Sequence, residues 1–305
     1  MARHRKLAIL IGVVVAAVLI LMREAGQSDY RAGVETWRQQ RLARLTSDEG
    51  WLTVAGLFWL KEGPNRFGSG PGNDIVLPAG SAPARAGTFE LRAGKASVRV
   101  EAGVTVTSGG KPVKALDLRP DLPGPPDTLA LGDLTLFVIK RQDRFGIRLR
   151  DKNSPLRKEF TGLTWFPIRE KYRVTARWVA YVPPREIEIP NVLGQIDRLP
   201  CPGYASFALD GKELRLEPVI EMPGDTELFY IFRDETAGKE TYPAGRFFYS
   251  EMPRDGKIVL DFNKAYNPPC AFTPYATCPL PPPQNWMALR IEAGELTYGH
   301  HEAAR

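Results

Sequence analysis

The stretch Phe207-Ala-Leu-Asp-Gly-Lys-Glu-Leu-Arg-Leu216 places an Asp-Gly pair between two short runs of alternating apolar and polar residues. An Asp-Gly pair tolerates the positive φ angles that a two-residue hairpin turn requires. This is the strongest short-range hairpin signal in the chain. We therefore predict that the two runs are antiparallel β-strands joined by a tight turn at Asp210-Gly211.

Similar patterns recur on both sides of this hairpin. Residues 96–106 and 172–182 alternate apolar and polar side chains, and residues 228–232 form a compact apolar run. The 305 residues include 28 Gly and 27 Pro, which favours short strands and many turns over long helices. Four tryptophans of the predicted β regions and their flanks are expected to be core residues rather than ligand platforms: Trp51, Trp59, Trp165 and Trp178.

A helix is predicted only near the start of the chain, over residues 30–46. Val34, Trp37, Leu42 and Leu45 fall on one face of this segment. A change in composition at residues 151–155 divides the remainder into two units, 51–151 and 155–299. The predicted fold class is mainly β: an N-terminal anchor and one helix, then two mostly antiparallel units that are sandwich-like or barrel-like.

The predicted anchor occupies residues 1–24. Its 16 residues from Leu7 to Met22 carry no charge and follow a basic segment, residues 3–6. Positive charge before an apolar run orients that run with its N-terminus in the cytoplasm. We therefore expect a membrane-anchored protein, held through residues 7–22, that faces the periplasm or the cell exterior. Cleavage of a signal peptide near Ala25, followed by secretion, is the alternative.

Charge and histidine content exclude several functions. Of the 41 Lys and Arg residues, Arg3, Arg5, Lys6 and Arg23 precede the first acidic residue, so the remainder nearly balances the 35 Asp and Glu residues. No nucleic-acid partner is therefore expected. The three histidines lie at positions 4, 300 and 301. This placement argues against a Ser-His-Asp triad and against His-ligated metals, and we expect no cofactor and no metal.

The C-terminal part contains the most distinctive motifs of the chain, Asn267-Pro-Pro-Cys270 and Cys278-Pro-Leu-Pro281. Together with Gly56-Leu-Phe-Trp-Leu60, they resemble the uncharacterised prokaryotic family of domains of unknown function numbered 1684. The resemblance extends from Trp37 to Glu295. It implies membership in that family and brings no established activity with it.

Residues 56–151 also resemble a forkhead-associated β-sandwich. The resemblance rests on residues 63–78, which contain a Gly-x-Asn-x-Phe-Gly turn followed by an Asn-Asp-Ile strand. Phosphothreonine recognition in that family requires an Arg where this chain has Ser69, and a Ser-x-x-His motif where this chain has Ser81-Ala-Pro-Ala84. The resemblance therefore implies architecture alone, and phosphopeptide binding is not expected.

A candidate ligand or active-site cluster is predicted around the proline-rich C-terminal motif, because prolines make a rigid wall for polar side chains. Its members are Arg246, Asp261, Asn263, Tyr266, Asn267, Cys270, Cys278, Asn285 and Glu292. Arg246 is expected to pair with Asp261 or to bind an anionic ligand group. The same residues are also suited to purely structural hydrogen bonds in turns. Cys270 and Cys278 are the candidate disulfide pair, and the sequence leaves open whether they are joined.

Three functions follow from these features. The first is the binding of a small or polymeric ligand of the cell envelope. The second is hydrolysis by Asp261 with Tyr266 or Cys270, assisted by Arg246. The third is a structural role in envelope assembly. Binding ranks first because the chain lacks a recognisable catalytic set.

Overall fold

The computed structural model describes residues 26–299. Helix α1 covers residues 26–46 and buries Val34, Arg41 and Leu45. These positions follow the helical repeat of 3.6 residues, so Arg41 takes a place on the buried face. Leu42, predicted to lie on that face, is instead 38% exposed. No helix within residues 26–299 is long and apolar enough to span a membrane, and the predicted anchor lies outside the described residues.

The first β unit follows α1 and is a sandwich of two sheets. Its strands are β1 (Val54–Trp59), β2 (Gly63–Gly68), β3 (Ile75–Val76), β4 (Gly87–Arg92), β5 (Lys95–Val100), β6 (Thr107–Ser108), β7 (Lys111–Pro112), β8 (Ala115–Leu118), β9 (Thr128–Leu131), β10 (Leu134–Arg141) and β11 (Arg144–Asp151). One sheet has the order β1-β11-β10-β9-β6-β7 and the other has the order β3-β2-β4-β5-β8. All neighbours in these two sheets pair antiparallel except β2 and β3.

The core of the sandwich consists of apolar side chains that point inward from both sheets. Phe67 and Phe89 lie in one sheet and contact each other with ring centroids 4.6 Å apart. Val138 and Ile147, in the other sheet, are fully buried. Each fully buried side chain of this size contributes about 1.5–3 kcal/mol, and this burial makes the sandwich a rigid support for the residues at its edges.

The second β unit begins after a single helical turn, α2 (Pro155–Lys158). Its strands are β12 (Arg173–Pro190), β13 (Ile196–Leu209), β14 (Lys212–Leu216), β15 (Glu227–Phe232), β16 (Arg246–Glu251) and β17 (Lys257–Asp261). They form a sheet of order β14-β13-β12-β17 and a separate β15-β16 hairpin, all antiparallel. For residues 26–299, the prediction of a mainly β, mostly antiparallel fold with one long helix is confirmed.

Strand β15 is buried on both faces. Leu228, Tyr230 and Phe232 pack into the core formed with the four-stranded sheet. Phe229 and Ile231 point the opposite way, into a second apolar cluster that includes Cys278. A strand with two buried faces reads as a continuous apolar run rather than as an alternating one, and residues 228–232 have that composition.

The hairpin predicted at Asp210-Gly211 is present and joins β13 to β14. Phe207 pairs with Leu214 across it. Both turn residues have positive φ, 49° at Asp210 and 76° at Gly211, as a type I′ turn requires. The sequence pattern was therefore sufficient to place this turn.

Candidate functional site

A cleft of about 930 Å³ opens where α1, the sandwich and the second β unit meet. Trp37 and Arg41 of α1 form one side, Arg141 at the end of β10 lies at another, and the β15-β16 hairpin provides a third. The proline-rich segment contributes residues 269 and 277–279. Segments distant in the sequence therefore build one concave surface, and its volume is in the range of small-molecule sites.

Aromatic rings cover the hairpin side of the cleft. Phe229 and Tyr249 face each other across β15 and β16 with ring centroids 4.9 Å apart. Tyr249 also stacks on Tyr266, at 6.5 Å and an interplanar angle of 15°. Because Tyr249 is 40% exposed, this wall presents a ring to solvent rather than a closed core.

The hydroxyl group of Tyr249 donates a hydrogen bond of 2.6 Å to Glu221 Oε2. Although much of Glu221 is exposed, its carboxyl group lies against the ring, and this partial burial raises its pKa above the ordinary value. Burial also raises the pKa of Tyr249, and the nearby tyrosine and carboxylate raise it further. Tyr249 is therefore a hydrogen-bond donor at neutral pH, oriented by Glu221.

The helix side of the cleft contains a buried charged group. Arg41 donates to the carbonyl of Asn267 at 3.0 Å, and its Nε lies 3.4 Å from Glu295 Oε2. Its guanidinium also lies 4.7 Å from the centre of the Tyr266 ring. Glu295 is fully buried, and this burial raises its pKa to about 7, with Arg41 acting in the opposite direction. These contacts fix Arg41 and Tyr266 relative to each other.

The end of the cleft next to the sandwich is basic. Arg141 Nε donates to the Thr277 hydroxyl at 2.8 Å, and Arg141 forms an ion pair with Asp121 at 2.9 Å. Arg148, on β11, is 4% exposed, and its guanidinium carbon lies 5.1 Å from the centre of the Trp51 ring. Burial lowers the pKa of Arg148 to about 10, so Arg148 remains cationic at neutral pH.

Cys270 and Cys278 lie beside this end of the cleft as free thiols. The backbone N–H of Cys270 donates to Cys278 Sγ at 3.1 Å. The hydrogen bond between the two side chains lowers the pKa of Cys270, whereas burial raises that of Cys278. The two residues lie in contact, and the disulfide between them stays a prediction.

Arg246, a member of the predicted cluster, lies in the core rather than in the cleft. It is 1% exposed and pairs with Asp234 at 3.1 Å. It also donates to the carbonyl groups of Ile291 and Ala293. Because Arg246 is buried in the core with Asp234 as its carboxylate partner, it neither pairs with Asp261 nor lines the cleft.

Asp261 and Asn263 connect α1 to the second β unit. Asp261 Oδ1 accepts hydrogen bonds from the Tyr30 hydroxyl at 2.8 Å and from the backbone N–H of Asn263 at 3.2 Å. Asn263 donates to the Tyr30 hydroxyl and bonds both backbone groups of Arg169. The two side chains share one small network, and it holds the helix in place.

Asn267, Asn285 and Glu292 also have structural partners. Asn267 donates to the carbonyl of Leu296 at 2.7 Å. Asn285 exchanges hydrogen bonds with the backbone of Glu217. Glu292 pairs with two arginines near the surface. Of the nine predicted residues, Tyr266 and Cys278 line the cleft.

Sequence reasoning missed Arg41, Arg141, Tyr249 and Thr277. Tyr249 follows Phe247 by two positions in a predicted β region, so the pattern of alternate faces was available as a signal. Trp51 was predicted to be a core residue, but it is half-buried and lines the cleft. Nothing local marked Arg41 or Arg141, because the packing of distant segments brings them to the cleft.

Comparisons with known proteins place the chain among others of unknown function. Residues 158–296 match the family model described as Protein of unknown function (DUF1684). An uncharacterised protein of Haloarcula marismortui, solved in solution by NMR, is 35% identical, with 46% of this chain and 79% of that chain covered and a TM-score of 0.40. A comparison with curated proteins found no match.

Forkhead-associated domains are weakly similar. The FHA-2 domain of a Mycobacterium tuberculosis ABC transporter is 22% identical, with 31% of this chain and 80% of that chain covered and a TM-score of 0.23. The FHA domain of a Chlamydia trachomatis protein is 18% identical, with 30% and 81% covered and a TM-score of 0.22. No property of those domains is carried over to this chain.

The family match is narrower than the predicted extent from Trp37 to Glu295, since it covers the second β unit and not the sandwich. The Cys- and Pro-rich motif and the β15-β16 hairpin both lie within it. On the matched residues and the identity to the Haloarcula marismortui protein, the chain belongs to the DUF1684 family of proteins of unknown function.

Proposed function

We propose that this protein is a membrane-anchored, extracytoplasmic binding protein whose cleft holds a small or polymeric ligand of the cell envelope. The observation that carries the proposal is the cleft itself. About 930 Å³ of open volume is bordered by the partly exposed ring of Tyr249 and by charged side chains such as Glu221 and Arg44. Concave surfaces on which aromatic and polar side chains converge are typical of ligand sites.

The walls of the cleft suit a ligand that contains sugar rings. One face of a sugar ring is apolar and stacks on an aromatic ring such as Tyr249, while its hydroxyl groups require hydrogen-bond partners at the edge. Glu221 accepts hydrogen bonds and Arg44 donates them, and both line the cleft. Polysaccharides and peptidoglycan fragments are envelope molecules with this chemistry.

The location is proposed from the N-terminal sequence. Arg3, Arg5 and Lys6 precede the uncharged run from Leu7 to Met22, an order that favours an anchor with its N-terminus in the cytoplasm. Helix α1 starts the described chain shortly after this run, so the β units would lie close to the membrane surface. Secretion after cleavage near Ala25 remains the alternative to an anchored protein.

Binding of peptidoglycan fragments and envelope polysaccharides, measured by isothermal titration calorimetry, tests the proposal. Tyr249→Ala is expected to weaken binding about tenfold, because a lost stacking contact costs on the order of 1 kcal/mol beyond the lost contact area. Tyr204→Ala is the matched control. Tyr204 lies on β13 with Arg215 over its ring and does not line the cleft.

The control variant should bind like the wild type. Equal weakening by Tyr249→Ala and Tyr204→Ala would indicate general destabilisation and contradict binding in the cleft. Absence of binding by the wild type to every fragment and polysaccharide would contradict the proposed function.

The two alternative functions receive less support from the geometry. A hydrolase based on Asp261 and Arg246 would need both groups at the cleft, but Asp261 bonds Tyr30 and Arg246 pairs with Asp234. A purely structural envelope protein would not require an open, partly aromatic cleft. Ligand binding is therefore the function that the geometry favours.

A further inference from the structure

Arg148 is a buried cation without a carboxylate partner among residues 26–299. It is 4% exposed, and its Nε lacks a hydrogen-bond partner. Its Nη2 reaches the carbonyl of Tyr275 and the hydroxyl of Thr277 only at 3.5 Å each. Burying a guanidinium group costs free energy unless the group is paired with an anion. Because Arg148 lies beside the cleft, an anion bound in the cleft would reduce this cost.

The neighbouring charges leave this region positive. Arg141 shares the Thr277 hydroxyl with Arg148 and already pairs with Asp121, whose carboxylate also accepts from the backbone N–H of Lys140. Arg150, two residues beyond Arg148, is half-buried and its Nε lacks a partner as well. Asp121 pairs with Arg141, and the charge of Glu49 acts on Arg150, so two carboxylates oppose three guanidinium groups and the excess charge is positive.

The hydroxyl group of Thr277 is a hydrogen-bond donor next to these arginines. A hydroxyl group has two acceptor positions and one hydrogen. Arg141 Nε donates to Thr277 Oγ1 at 2.8 Å and Arg148 Nη2 approaches it at 3.5 Å. With both acceptor positions facing arginines, the hydroxyl hydrogen is left to donate, and within residues 26–299 it has no acceptor. Thr277 lines the cleft, so this donor is accessible to a ligand.

We propose that the ligand carries an anionic group, a carboxylate or a phosphate, and that Arg141 and Thr277 bind this group while Arg148 provides charge from behind them. The inference rests on the proposed function and names the class of its ligand. The aromatic wall at Tyr249 would hold the rings, and the basic end would hold the anion. Both regions border the same cleft, so one ligand can contact both.

Matched pairs of sugars test the inference by calorimetry at low salt. N-acetylglucosamine is the neutral probe, N-acetylmuramic acid adds a carboxylate, and N-acetylglucosamine 6-phosphate adds a phosphate. At least one anionic sugar is expected to bind about tenfold more tightly than the neutral sugar, because a hydrogen bond to a charged group contributes on the order of that factor. The advantage should shrink as salt screens the charges.

Two pairs of variants locate the anion. Thr277→Val removes the hydroxyl group and should abolish the advantage of the anionic sugar, whereas Thr277→Ser should keep it. Arg141→Gln should reduce the same advantage. Arg144→Gln is its control, because Arg144 lies on the same β-hairpin but over the Trp59 ring, outside the cleft. The control variant Arg144→Gln should bind both the neutral and the anionic sugars like the wild type.

Arg148→Met separates a binding role from a structural one. Methionine is shorter than arginine but is also unbranched up to its end and apolar, so it should raise the melting temperature of the free protein while it lowers the affinity for the anionic sugar. A lower melting temperature with unchanged anion affinity would assign Arg148 to the fold and overturn its part in binding.

The outcomes also separate the two proposals. If the three sugars bind with equal affinity, the anionic ligand is ruled out while binding in the cleft stands. If an anionic sugar binds better but Thr277→Val leaves its advantage intact, the anion lies elsewhere and the inference is overturned. If no sugar binds to the wild type, a sugar ligand is ruled out, and this inference fails with it.

Discussion

Arg246 and Asp234 form an ion pair whose side chains are 1% and 2% exposed. We expect Arg246→Ala to lower the free energy of unfolding by about 3–5 kcal/mol, because it leaves the Asp234 carboxylate buried without its cation. Urea denaturation measures the change. Arg254→Ala is the control: its ion pair with Glu251 is 84% and 83% exposed, and its loss should cost less than about 1 kcal/mol. Equal costs would contradict the structural role of Arg246.

The raised pKa of Glu295 predicts that the stability of the protein depends on pH. Burial raises its pKa to about 7 in the folded protein, whereas an unfolded glutamate titrates near 4.3. Between these values the folded state binds the extra proton, so the stability should fall as pH rises from about 4.5 to 7. The total effect is on the order of 3 kcal/mol, and it should be absent from Glu295→Gln.

Urea denaturation at several pH values between 4 and 8 measures this effect. The quantity of interest is the difference in unfolding free energy between wild type and Glu295→Gln. Glu292→Gln is a suitable control, because Glu292 is partly exposed and paired with two arginines. If wild type and Glu295→Gln lose stability in parallel over this range, Glu295 is not the responsible group.

At the scale of elements, the β13-β14 hairpin depends on two residues with positive φ. Gly211→Ala should destabilise the protein by about 1 kcal/mol, since φ of 76° is strained for any residue with a Cβ atom. Thermal or urea denaturation detects this loss. Gly72→Ala is the control, because its φ is outside the left-handed region and no atom lies within 4 Å of the added Cβ. Equal stability of the two variants would contradict the turn assignment.

Helix α1 illustrates how an element acquires a functional face. Its sequence predicts an amphipathic helix, and the structure buries Val34 and Leu45 as expected from such a pattern. Arg41 shares that face, although a sequence pattern assigns arginine to solvent. Glu295, far from Arg41 in the sequence, forms an ion pair with Arg41 and so offsets part of the cost of burying it. Only the docked helix brings these two residues together.

At the scale of the whole molecule, the cleft forms where three bodies meet: α1, the edge of the sandwich at Arg141 and the β15-β16 hairpin with the proline-rich segment. No single body provides both the aromatic wall and the basic end. The arrangement explains why the candidate cluster, chosen from one C-terminal stretch, contributes Tyr266 and Cys278 to the cleft while Arg246, Asp261 and Asn263 stabilise the fold.

The sequence by itself determined the mainly β architecture, the turn at Asp210-Gly211 and the long helix α1. These features depend on backbone preferences and on side-chain periodicity over a few neighbouring residues. The tertiary structure decided which polar residues line the cleft and which form structural contacts inside the protein. Arg148 and Arg246 are both buried arginines on strands, yet Arg246 pairs with Asp234 and Arg148 has no carboxylate partner among residues 26–299. That difference depends on which residues from other segments pack against each arginine, and the sequence around each arginine does not indicate them.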